Sequence, residues 1–581
     1  MAKNIKVSTT EKFISSFSGS VSVGTIVETL GYTTEGDGGG AQWTKTATTG
    51  TASQSPAQLG NALLNDASGN EWALVVSDKL NVKRLGAILD GVADNTLIFR
   101  AALASPHKNI DISTGVMLVV PVDTTSDPLF ISAIAGRVIS GAGVITANSQ
   151  IKRLLRCTGA NSKVSINIDG NDNIGYAVMM QCVNPTVENC NIKNLNGFDN
   201  WGAVAIRIEH NGINSKFTVK NNVVENCYSV GDGIPSNGIG MCRAVIAESD
   251  LDVSQRSTIA DNEFYDINGE EGDAIVIISF DGVSAFFNFP CDIKDNLING
   301  FTRRGVKVQA SQVDVITNTI QNNLTAASGQ EQRAIDIIEG NNNTASFNTL
   351  IDCKFMGQIA SFRGATNIGT NITISHNKVY GIGAETTTAL FPVKYLDSSV
   401  VFGNSVYCPN YAGSTYFLKN LNGLNFNAVN NITNGVLIEQ ESVADLVYIG
   451  SLSDSDAMVV SVNRATNKSF KLHNQDATLN SGELIAAIEV QQNDNDSDIV
   501  TASLVARASG STGGTDWEFN TGNPNGTPNE KAMTLTQSGL LSLDRINSTI
   551  SLRNSADTAY VLSVDTSGRL LINGSIVGNQ T

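Results

Sequence analysis

VKNNVV (219–224), IADNEF (259–264), IKDNLI (293–298), VITNTI (315–320), ISHNKV (374–379) and VFGNSV (401–406) are one phrase written six times. An apolar residue is followed by two variable positions, an Asn, one more variable position and a second apolar residue. VENCNI (187–192), ASFNTL (345–350) and NAVNNI (427–432) extend the series at both ends and inside it. With the fourth position as marker, the copies fall at Cys190, Asn222, Asn262, Asn296, Asn318, Asn348, Asn377, Asn404 and Asn430, spaced by 32, 40, 34, 22, 30, 29, 27 and 26 residues. A constant phrase at uneven spacing predicts a solenoid with one coil per repeat, whose strands keep register while loops on one side vary in length. Asn suits the phrase because it tolerates a left-handed corner, and stacked corners let its side chain bond from coil to coil. A merely loop-forming Asn would leave the flanking period-two apolar residues unexplained.

Between successive Asn markers stands a second phrase: AVAIRIE (203–209), RAVIAE (243–248), DAIVII (273–278), RGVKVQ (304–309), RAIDII (333–338) and, less cleanly, PVKYL (392–396). Aligned on the small residue before Ile or Val, these segments form a parallel ladder with one rung per coil. Strand alternation places Ile206, Ile208, Val245, Ile275, Ile277, Val306, Val308, Ile335 and Ile337 in the core. It leaves Arg207, Glu209, Glu248, Lys307, Gln309 and Asp336 on the outer face. The expected fold is all-β, a right-handed parallel β-helix over 81–440, between a small β-rich N-terminal cap (1–80) and a C-terminal β-sandwich-like module (441–581).

Composition agrees with such a chain. At 581 residues it is too long for one compact core unless it is a repeat protein or several domains. Plentiful Gly (53), sparse Pro (11) and only 16% charged residues favour strands and tight turns. The formal net charge of -17 leaves no basic stretch to follow a phosphate backbone, which argues against nucleic acid as a partner. No apolar run is long enough to span a bilayer, and MAKNIKVSTTEKF lacks the apolar segment of a secretory signal, so synthesis in a cytoplasm and a soluble product are expected. The eight cysteines form no CxxC pair and read as buried thiols. The four histidines form no metal-spaced set, and no metal or cofactor is expected; His376, at a corner position, reads as structural.

The ends are organised differently. LNVKRLGAILDGVADNTLIFRAALAS (80–105) reads as a strand, a turn at Asp90–Gly91 and a short helix near 94–104 that Asp94 can cap. Ile98, Ala101 and Ala102 would cover the open end of the solenoid. This stretch resembles the opening of bacteriophage tailspike depolymerases with a pectate-lyase-like β-helix, whose helix typically begins GAxxDGxxDNTxxxxxA. Gly86, Ala87, Asp90, Gly91, Asp94, Asn95, Thr96 and Ala102 match it. GYTTEGDGGGAQW (31–43) is similar to the short domain that precedes the helix in many members. The resemblance implies a homotrimer on a virion tail that binds and cleaves a bacterial capsular or surface polysaccharide. An extended N-terminal virion-binding domain is missing from the text, which leaves a truncated chain or one docking on a tail or baseplate protein through a short N-terminal anchor. The C-terminal part is similar to β-rich modules near the ends of phage tail fibres, where three chains are held together. Its acidic NDNDSD run (493–498) has the oxygen ligands for calcium but reads better as a solvated turn.

A solenoid has no natural pocket, so a long polymer lying along the stacked strands is the substrate that fits. Paired carboxylates flanking a glycosidic bond would cleave it. Glu209 and Glu248 occupy equivalent outer positions in successive coils, roughly 5 Å apart, where mutual repulsion would raise one of the two for use as an acid. Asp273 and Asp336 complete the catalytic candidates. Trp201, Phe198 and Tyr228, read as loop residues, could stack on sugar rings. Arg207, Arg243, Glu270, Glu271, Arg304, Lys307, Arg333 and Glu339 could bind the chain. Hydrolysis is favoured by the excess of carboxylates. A lyase would instead use Lys307 or Arg304 as base beside a group neutralising a uronate, and an adhesin would bind without cutting.

Overall fold

The computed structural model describes residues 4–18, 20–121, 127–198, 202–229, 240–279, 287–324, 332–353, 357–361, 369–381, 396–407, 426–433 and 436–441, then separate strands between 448 and 576. The chain divides into two compact units, Met1–Ser461 and Val462–Thr581. The first contains a right-handed parallel β-helix. Nine parallel strands, one per coil, stack into its front sheet: Phe130–Ser132, Ile151–Cys157, Ile174–Met180, Ala203–Glu209, Met241–Ser249, Glu271–Ser279, Arg304–Gln309, Arg333–Glu339 and Gly357–Ser361. Two further parallel ladders, such as Thr218–Lys220 on Ser257–Ala260 and Val223–Ser229 on Glu263–Gly269, close each coil.

The marker Asn sits at the corner between those two ladders, and its whole polar inventory is used. Asn222, Asn262, Asn296, Asn318, Asn348, Asn377, Asn404 and Asn431 are 0–2% exposed. Each carboxamide Nδ2 donates to the Oδ1 of the next Asn at 2.8–3.0 Å. It also donates to a main-chain carbonyl of the preceding coil, as Asn318 does to Ile293 at 2.9 Å. The backbone N–H donates to the same Oδ1 of the following rung, at 3.0 Å from Asn296 to Asn318. Cys190 heads the stack, its N–H donating to Asn222 Oδ1 at 3.0 Å and its thiol resting on the Val164 carbonyl. Two expectations change. The last rung is Asn431 rather than Asn430, because Val401 pairs with Ala428 and Asn404 Nδ2 reaches Asn431 Oδ1 at 2.8 Å. The left-handed corner is taken by the residue before the marker: Asn189, Asn221, Asp261, Asp295, Thr317, Phe347 and His376 all have φ between 53° and 59°.

The front sheet bears out the predicted core, since all nine expected Ile and Val side chains are fully buried in one cluster. The small residue of the phrase has its own function. Ala205, Ala244, Ala274 and Ala334 join that core beside the inward residue that follows each of them, so inward positions come as a consecutive pair. Gly305 holds the same place, where a Cβ would lie 2.6 Å from the Ala334 carbonyl oxygen. After Arg333–Glu339 the ladder continues with Gly357–Ser361, a rung the sequence reading missed. Most of PVKYL lies outside the described residues, and Leu396–Asp397 pairs with Gly369–Thr370 in a separate small sheet. The seven described cysteines are buried, as expected; Cys408 lies outside the described residues.

The N-terminal segment forms a five-stranded sheet around buried Trp43, Trp72 and Phe13. The GAxxDGxxDNT residues then make the join to the solenoid. Gly86, at φ +102°, leaves room for the Tyr32 ring, which a Cβ would meet at 2.6 Å. Asp90 Oδ1 accepts the Val92 and Ala93 amides, while Asn95 Nδ2 donates to the Ile88 and Ala93 carbonyls. The helix is Thr96–Ala104 with Asn95 at the cap position; Asp94 accepts the Thr96 amide from one position further out. Ala101 and Ala102 are buried as expected and Ile98 packs at the edge, with Phe99 and Leu103 completing the covering face.

The second unit is antiparallel, with one five-stranded and one four-stranded sheet. Of the NDNDSD run, Asn493 and Asp494 end the strand Leu484–Asp494 and pair with Asp498 and Ser497 of Ser497–Ala508, while Asn495 and Asp496 lie outside the described residues. Among the described residues no helix is long and apolar enough to cross a membrane.

Asn318→Ala removes the acceptor of the Asn296 amide and leaves the Ile293 carbonyl unpaired in a dry interior, at roughly 1–3 kcal/mol per orphaned group. Thermal and denaturant unfolding should show a loss of that size, and Asn318→Asp should not restore it, because a buried carboxylate cannot donate to Ile293 and Asn348.

Candidate functional site

The paired inward residues divide the outer side of the front sheet into three columns. One runs Tyr176, Val204, Arg243, Asp273, Arg304, Arg333. The next runs Met179, Arg207, Ile246, Val276, Lys307, Asp336. The third runs Glu209, Glu248, Ile278, Gln309, Glu339, with the register shifting before Gln309 so that Ile338 is extra. An apolar strip of Tyr176, Val204, Ile246 and Val276 is buried across the middle, with Met241 and Ile278 packed on it.

At one end of this strip lies an open groove of about 410 Å³, lined by Gln181, Glu209, His210, Asn211, Glu248, Ser249, Asp250 and Ile278. Glu209 and Glu248 are register partners on adjacent rungs, as the sequence predicts. Their mutual repulsion does not go unscreened, because Arg207 lies between them. Its Nη2 is 2.8 Å from Glu248 Oε2, and its Nε is 3.1 Å from Glu209 Oε1 but out of line for a hydrogen bond. The guanidinium carbon also lies 5.7 Å from the centroid of the Tyr176 ring. Burial pushes the Tyr176 hydroxyl up, so it stays protonated. Asp250 was absent from the sequence candidates. It is exposed, makes no hydrogen bond or ion pair among the described residues, and stands two positions after Glu248, where the strand ends. His210 is nearly buried, with Nε2 3.0 Å from the Ser215 carbonyl and its ring edge-on to Phe289. Burial pushes it down, towards the neutral form.

Two rungs away the charged residues turn inward on one another. Arg303 pairs with Glu271, which also lies 2.9 Å from Arg243 Nη2. Arg243 continues to Asp273 at 3.2 Å, Arg304 Nη1 reaches Asp273 at 3.3 Å, and Arg304 Nε reaches Asp336 at 2.7 Å. Three cations and three anions alternate along this chain. Asp273 is fully buried and Arg243 and Arg304 nearly so. Burial alone would push the Asp273 carboxyl up; the Arg243, Arg304, Lys307 and Arg303 charges outweigh it and hold the group below the usual carboxylate range. A carboxylate with no solvent contact and two guanidiniums on it organises neighbours instead of meeting a sugar. Lys307 adjoins the chain, and burial pushes its ammonium down to about 8 against the opposing pull of Asp273.

The remaining candidates disperse. Glu270 lies in the turn before Glu271–Ser279. Arg333 Nη1 donates to the Gln332 carbonyl at 2.7 Å, and Gln309 Nε2 donates to Glu339 at 3.0 Å. Tyr228 is exposed but belongs to the strand Val223–Ser229, on a different ladder, so it is neither a loop residue nor part of this face. Phe198 follows the strand Asn191–Gly197, half-buried, and Trp201 lies outside the described residues. No three His, Cys, Asp or Glu residues among those described are grouped to hold a metal.

No family model and no curated protein matches the chain. Among solved structures it is similar to the Streptococcus pneumoniae surface adhesin PfbA (13% identity, TM-score 0.43, covering 66% of this chain and all of that one). It is also similar to the Pantoea stewartii glycan biofilm-modifying enzyme WceF (11%, 0.41, 100% and 78%). A third is the tailspike of Acinetobacter baumannii phage AM24 (11%, 0.39, 99% and 90%).

Asp273→Asn removes the carboxylate shared by Arg243 and Arg304, leaving each with one partner and the buried chain with one uncompensated positive charge, and should destabilise the first unit by about 3–5 kcal/mol in denaturant unfolding. Glu209→Gln, at a partly exposed pair, should change stability by about 1 kcal/mol or less. Because the Asp273 value is depressed on folding, its contribution is complete above about pH 4 and vanishes as pH falls through the lower folded-state value. Acid unfolding of Asp273→Asn should lack that component.

Proposed function

We propose that this chain is a phage tailspike that binds a bacterial surface polysaccharide along the front sheet and hydrolyses it in the groove at Glu209, Glu248 and Asp250. The observation that carries the reading is the groove itself, where three carboxylates from adjacent rungs meet beside an apolar strip and a single guanidinium. Such a surface suits a polymer: half-buried Ile278 meets the CH face of a sugar ring, and the carboxylates take hydroxyls and the scissile bond. Arg207, 2.8 Å from Glu248 and 3.1 Å from Glu209, holds the two carboxylates in place on adjacent rungs, where they act as base or nucleophile. Proton donation then falls to Asp250, which lines the same groove and has no cationic partner among the described residues. Assembly as a homotrimer and attachment to the phage tail through the N-terminus belong to the same proposal. They are supported by the GAxxDGxxDNT and GYTTEGDGGG resemblances, and light scattering should return three times the 61.4 kDa chain mass.

The decisive assay incubates the protein with a panel of purified bacterial surface polysaccharides. New reducing ends without the ultraviolet absorbance of an unsaturated uronate are expected. That absorbance would mean elimination, and neither signal would mean adhesion alone. Glu248→Gln and Asp250→Asn should each lower turnover at least ~100-fold while binding and oligomeric state are kept. Full turnover in both variants would remove the groove from the proposal.

A further inference from the structure

Lys307 is the odd charge on the front face. In the chain Arg303, Glu271, Arg243, Asp273, Arg304, Asp336, every carboxylate is already engaged by a guanidinium, and the three charges of each sign cancel. Arg333 at the next rung has partners of its own. Lys307, between Val276 and Asp336 in the middle column, makes no hydrogen bond and no ion pair among the described residues. The carboxylates nearest it, Asp273 and Glu271, are held by guanidiniums, and a part-buried ammonium in contact with no anion is an unfavourable arrangement that a bound anion relieves. The depressed value of Lys307 records the same imbalance.

We propose that Lys307 is the subsite for the carboxylate of an acidic sugar, so that the polymer bound on this face contains uronic acid. This rests on the front sheet being the glycan-binding face. The surplus is one positive charge, which one carboxylate balances. The neighbouring guanidinium forks are spent on Glu271, Asp273 and Asp336, so the anion is held by a point charge instead of a bidentate clamp. Two rungs and two residues separate Lys307 from Glu248, roughly 12 Å. Buried Ile246 and Val276 and half-buried Ile278 lie between them, a span without charge. The acidic unit is thereby placed away from the three carboxylates of the groove, which would repel it.

The test uses the full chain and D-glucuronate as probe, with D-glucose as the neutral control. Lysines are acetylated under limiting reagent, and the rate at Lys307 is read by peptide mass spectrometry. Lys307 should react faster than the exposed lysines, and glucuronate should slow it several-fold while glucose does not. Equal protection by both sugars, or by neither, overturns the subsite. Lys307→Met should weaken binding of an acidic polymer about tenfold and leave a carboxyl-reduced version of that polymer unaffected, with Lys307→Arg restoring most of the loss. Cleavage of a neutral polymer without glucuronate protection would discard the subsite and keep the depolymerase reading. Protection without cleavage of any polymer would keep the subsite and discard hydrolysis.

Discussion

Everything in the solenoid depends on the buried carboxamide stack. Each Asn side chain donates to the coil before it and to the coil after it, while its oxygen accepts from the coil before. A side chain so fully engaged in a dry interior cannot slip by one residue without orphaning several polar groups. The stack therefore fixes rung register at one corner, and the parallel ladders carry that register around the coil. Loops between rungs are free to differ in length, which is why the spacing from marker to marker ranges from 22 to 40 residues.

Fixed register is what lets residues far apart in the chain act as one surface. Glu209 and Glu248 meet because their rungs are neighbours, with Arg207 one column away and in reach of both. The same constraint brings Asp273 between Arg243 and Arg304. The two charged regions differ in their access to water. The groove keeps its carboxylates partly exposed and hydrated, whereas the other region has closed over, so its charges must satisfy one another. Buried alternation of sign costs about as much in desolvation as it returns in attraction, so its effect is to hold side chains in place rather than to add stability.

Much of this was legible in the text. The Asn phrase encodes the coil, and period-two alternation names the core residues, all nine of which are buried. The errors have physical causes. The doubled Asn430–Asn431 offers two markers, and only pairing of Ala428 with Val401 selects the second. GQIAS (357–361) lacks the apolar density of its neighbours, so its rung was missed although it pairs with Arg333–Glu339. Asp94 resembles a cap, but the chain enters the helix one residue later, at Asn95. Asp250 follows the strand phrase instead of belonging to it, so no alignment of rungs points to it.

The sequence by itself determined the spiral, its core and the adjacency of Glu209 with Glu248, because those follow from periodicity and spacing alone. Only the tertiary structure decided which outward-pointing charges reach water. Asp273 and Glu248 look alike in the text, both acidic residues of one strand phrase on the same side of the sheet. One is sealed between two guanidiniums and the other lines a groove, since solvent access depends on which side chains the adjacent rungs place beside each. Lys307 follows the same rule: that it makes no ion pair among the described residues is a property of what its neighbours have already bound, and no reading of its own position could supply that.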